Sequence, residues 1–80
     1  MLAAALSGST AQLVVEVVAD IVAVMRAGVF VGRPMREREV DRLFTEALPR
    51  FEAVPLSERR TALALIKPMV RQNLDPRPPQ

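Results

Sequence analysis

Eighty residues make a single domain near the lower limit of what folds unaided, a size at which only ~60–65% of the unfolded surface is buried. The chain has no Cys and no His. A disulfide staple, the commonest metal ligand and the commonest neutral-pH acid–base are therefore missing, and neither an enzyme nor a cofactor is expected. A net charge of +2 from ten Arg and one Lys against nine carboxylates is too modest a surplus to signal nucleic acid, which leaves oligomerisation as the means of reinforcing a small core.

The opening MLAAALSGSTAQ lacks the basic segment of a signal peptide, so the chain is expected in the cytoplasm. Residues 1–8 read as a flexible N-terminus, 9–74 as one helical domain and 75–80, DPRPPQ, as a Pro-rich disordered tail. The Met start and such a tail are expected of a complete small protein, and the Arg-rich, Lys-poor composition of a bacterial one.

The first helix is predicted from an N-cap at Ser9 or Thr10 to Ala27, with Gly28 as the residue that ends it. Its Val richness favours strand, but the run is too long for one and has no turn residue inside. The polar and small positions Ser9, Gln12, Glu16, Asp20, Ala23 and Ala27 fall three or four apart, which is the helical repeat. The rest of the circumference is apolar over about two-thirds of the turn, far wider than the stripe of an ordinary surface helix. Such a helix must be central.

Residues 28–33 read as a connector or a short extended piece closed by Gly32. The second helix is expected from Pro34 to Leu48 with Val40, Leu43, Phe44, Ala47 and Leu48 inward, and is stopped or bent by Pro49. In PRFEAVP, Phe51 and Val54 are expected to point into the core. The third helix is predicted to open with Ser57 as N-cap and to bury Ala62, Leu63, Ile66, Met69 and Val70, with Pro68 kinking it. The fold class is all-α: three helices around a long hydrophobic first helix, completed by oligomerisation.

Two conventional stripes cover about half of the first helix, which leaves an apolar seam over. Each exposed Val or Leu forgoes about 1.5–3 kcal/mol of burial, and a contiguous patch of this kind marks an interface. Leu13, Val17, Ile21 and Val24 are therefore the expected interface, with Val14, Val18 and Met25 facing the intrachain core. On this reading Val17→Glu breaks the assembly and Val18→Glu unfolds the protomer. The partner is a second copy or a larger protein, and the function is that of a non-enzymatic interaction module.

Other groupings carry less. Glu16 and Asp20 form an i,i+4 carboxylate pair but have no His beside them, so they read as the solvated edge of the helix. The run Arg36–Arg42 reads as a solvated face. Arg59, Arg60, Lys67 and Arg71 could meet phosphates in a small dimeric DNA-binding protein, although the Pro-containing connector before them is long for a helix-turn-helix and Pro68 interrupts the reading helix. A third alternative is association of the 13–31 stretch with a membrane surface. Spanning is not expected, because Glu16, Asp20 and Arg26 would each cost about 2.5–3.5 kcal/mol near the centre of a bilayer.

Overall fold

The computed structural model describes residues 6–74. Three helices, α1 (Gly8–Phe30), α2 (Glu37–Ala47) and α3 (Leu56–Leu74), are joined by a turn at 31–36 and by a 3-10 helix, Leu48–Phe51, that continues from the end of α2. No strand occurs among the described residues. The expected tail 75–80 and most of the expected N-terminal segment lie outside them, whereas Leu6 is described and packs against the core.

α1 starts earlier than the sequence reading places it. Ser7 is the N-cap, and its hydroxyl accepts the Thr10 N–H at 3.4 Å. Thr10 cannot serve as the cap because it is buried, one turn inside, with its hydroxyl 3.0 Å from that of Ser7. The helix also ends later than expected. Gly28 lies within it, and the left-handed residue is Gly32, at φ 76°. The Arg33 N–H donates to Gly28 O at 2.7 Å and the Gly32 N–H to Val29 O at 3.0 Å. These two bonds are the Schellman pattern, with Gly32 in the position that tolerates positive φ. Gly28 has its own reason to lack a side chain: a Cβ there would stand 2.8 Å from the Arg33 carbonyl oxygen.

α2 begins at Glu37 rather than Pro34. The Glu39 carboxylate accepts the Arg36 N–H at 3.3 Å, which satisfies one of the free donors at the helix start. Pro49 stops the α-helix as expected, and the chain tightens into the 3-10 helix. α3 opens at Leu56, ahead of the expected cap Ser57, and its first bonds run from the Glu58 and Arg59 N–H to the Pro55 carbonyl, each at 2.9 Å. It continues through Pro68, which is exposed, so the lost hydrogen bond falls on the solvent side.

The core joins Val14, Val17, Val18, Ile21 and Val22 of α1 to Ala62, Ile66 and Val70 of α3, with Ala47, Phe51 and Val54 closing it. α3 makes the main contact with α1. The two run parallel. At their starts the Ser7 N–H donates to Glu58 Oε1 at 2.6 Å, and near their ends Arg26 Nη2 donates to the Asn73 carbonyl at 2.7 Å. α2 returns alongside α1, and Lys67 of α3 reaches it, with its ammonium 3.8 Å from Asp41 and 5.3 Å from the Phe44 ring centre.

Candidate interaction surface

The seam expected to be left over is largely covered. Val17 is 0% exposed and Ile21 is buried, so both belong to the protomer's own core and neither is available to a partner. Leu13 is half-buried against that core, and Val24 alone of the four is exposed. The end of α2 and the 3-10 helix after it cover this edge together. Leu43, Ala47 and Arg50 line the groove along Val17, Ile21 and Val24, and Phe51 and Val54 add two buried side chains to the same core. Val14 and Val18 face inward as expected, and Met25 packs against the core.

The side of α1 that stays open carries Gln12, Val15, Glu16, Ala19, Asp20, Ala23 and Ala27. Two features give it character. Val15 is 52% exposed and borders a shallow groove between α1 and α3 that Val22, Arg26, Met69 and Asn73 also line. The polar groups are held at the surface: Gln12 Nε2 donates to Glu16 at 3.1 Å, and Asp20 pairs with Arg50 at 2.8 Å. Both pairs are exposed and screened, of the kind worth about 0.2–1 kcal/mol. Glu16 and Asp20 thus form the wetted edge of the helix. Among the described residues no group of three potential ligands could hold a metal ion.

The four cations considered for phosphate contact do not form one free row. Arg59 is half-buried, and its Nη2 donates to the carbonyls of Glu52 and Val54 at 2.8 and 3.0 Å, so its guanidinium holds the connector in place. Lys67 is engaged with Asp41 and Phe44. Arg60 and Arg71 are exposed, about 16 Å apart along α3. Glu58 stands where α1 and α3 begin together. The Ser7 N–H holds its carboxyl below the ordinary range against an opposing push from burial, and the Ser7 and Thr10 hydroxyls add to the lowering.

The sequence reading missed the end of α1. The sequence puts Val29, Phe30 and Val31 in a connector or short extended piece, yet Val29 and Phe30 complete the helix and Val31 caps it. All three stand in solvent, Phe30 at 89% exposure. The signal was present: Gly32 with Pro34 two residues on is a stop pattern, stronger than Gly28 alone. Leu48 and Leu56, on either side of the connector, are also exposed but do not form a continuous run. No family model matches the chain, and no curated protein or solved structure does.

Proposed function

We propose that this chain is a non-enzymatic helical interaction module of the cytoplasm that binds a second copy of itself, or a larger protein, through the open side of α1. The observation that carries this reading is the exposure of Val15 and Val24, which flank a side of α1 where Ala19, Ala23 and Ala27 lie among Gln12, Glu16 and Asp20, on the longest helix of the described residues. Small side chains let another helix approach closely, and the flanking valines supply apolar area that water otherwise keeps. A twofold pairing is the simplest closed arrangement. The lack of His and Cys supports a non-enzymatic role. No described helix is long and apolar enough to cross a membrane.

The DNA-binding alternative has less to stand on, because two of its four cations are engaged within the chain. Light scattering behind a sizing column, at two concentrations and without detergent, tests the proposal. A dimer or higher assembly that Val15→Glu converts to protomers supports it. A wild-type protein that stays monomeric at both concentrations and captures no protein partner would remove it.

A further inference from the structure

The exposed end of α1 has a geometry that the open side does not share. Val29, Phe30 and Val31 are consecutive, and successive helical side chains point about 100° apart, so the three sweep about 200° around the helix end. They are 64%, 89% and 65% exposed. A groove on a rigid protein covers one face of a helix; covering all three at once requires a medium that closes around the tip.

The charge about the tip is of one dominant sign. No carboxylate lies between Asp20 and Glu37 in the chain, while Arg33 and Arg36 are exposed and so is Arg26, one of whose guanidinium nitrogens donates to the Asn73 carbonyl. Because α1 and α3 run parallel, the end of α3 with Arg71 and the start of α2 with Arg38 gather at the same end of the molecule. Among the described residues, five arginines there face Glu37 and Glu39, whereas the others hold five cations against six carboxylates.

We infer that the Val29–Val31 tip inserts into the surface of an anionic membrane, with the surrounding arginines against the lipid headgroups. Apolar side chains with an aromatic among them enter the headgroup–acyl boundary, and arginine can bury its stem there while its guanidinium stays among phosphates. Each cation near such a surface strengthens binding about fivefold at physiological salt. This contact uses the end of α1, not its open side, so it stands independently of the self-association proposed above.

The chain has no Trp or Tyr, so Phe30→Trp places a single indole at the tip. With vesicles of phosphatidylcholine and phosphatidylserine at low salt, its emission is expected to shift to the blue. With phosphatidylcholine alone the shift should be much smaller, and high salt should reverse it as screening tightens. The unlabelled full chain should sediment with the anionic vesicles, Phe30→Ser should not, and Arg33→Glu, a change of two charges, should weaken binding about twenty-five-fold. Both sites are exposed, so circular dichroism should match the wild type. Three results would overturn the inference. One is an indole that does not shift on any vesicle. The second is equal sedimentation of wild type and Phe30→Ser, or of wild type on zwitterionic and anionic vesicles. The third is a Phe30→Ser protein that loses self-association without lipid, which would place a second copy on the tip. The lipid-free mass of the wild type reports on the open side of α1 separately.

Discussion

Replacing Val17 by Glu, alongside Val15 by Glu, tests which side of α1 is interior. Val17 is fully buried, so Val17→Glu forfeits about 1.5–3 kcal/mol of valine burial. It also places a carboxyl where no donor waits. Raising the pKa of such a group by ~3–5 units keeps it neutral in the folded state, and at neutral pH the cost then levels off at ~3–4 kcal/mol, the free energy of protonating a carboxyl well above its ordinary pKa. A domain of 80 residues has a total stability of about 4–12 kcal/mol at the usual value per residue. The perturbation is therefore as large as the stability it acts on, and the variant should be mostly unfolded. Val15 is 52% exposed, so Val15→Glu should change stability by no more than about 0.5 kcal/mol. Urea titration followed by far-ultraviolet circular dichroism reads the first effect, and light scattering on the same samples reads assembly. The expected outcome is an unfolded Val17→Glu chain and a folded, dissociated Val15→Glu chain. A Val17→Glu protein with a wild-type urea midpoint and a reduced mass would refute the reasoning and restore Leu13, Val17, Ile21 and Val24 as the interface.

Phe51→Ala should cost about 3–5 kcal/mol, seen as a large drop in the thermal midpoint, because the ring is fully buried at the closing edge of the core; a drop typical of a surface site would mean that the connector does not seal α1. Gly32→Ala should cost about 1 kcal/mol from the left-handed backbone alone, and Gly28→Ala should also destabilise, since its Cβ meets a backbone oxygen that cannot swing away; a Gly32→Ala protein with the wild-type urea midpoint would contradict the Schellman assignment. The Glu58 carboxyl is lowered in the folded state, so its contribution is fully present above the ordinary value of 4.5 and is lost as pH falls through the lower folded value. Thermal midpoints should thus fall on acidification in the wild type with a steeper dependence than in Glu58→Gln, and identical pH profiles would show that the Ser7–Glu58 contact contributes nothing.

Much of the architecture is legible in local chemistry. The 3.6-residue spacing of Gln12, Glu16 and Asp20 marks α1 as a helix despite its valines, and the same spacing of Ala62, Ile66 and Val70 marks the buried row of α3. Phe51 and Val54 are readable as inward because they are the only large apolar groups in a Pro-bounded connector. The candidate surface was less legible. Leu13, Val17, Ile21 and Val24 share one helical edge, but an edge is a direction, and whether it meets solvent depends on what lies across from it. The caps were misplaced for a related reason. Ser7, Ser9 and Thr10 have similar intrinsic capping chemistry, and the choice fell to Ser7, whose N–H finds Glu58 from fifty-one positions away.

By itself the sequence determined what periodicity and composition can determine: three helices, a first helix rich in apolar residues, and a chain without His or Cys. Only the tertiary structure decided which apolar residues are left in water. Burial is a property of pairs of surfaces, and the return of α2 with the 3-10 helix behind it covers Val17 and Ile21 while the parallel course of α3 leaves Val15 bordering a groove. The end of α1 remains bare because three consecutive side chains pointing about 100° apart cannot all turn toward one neighbour.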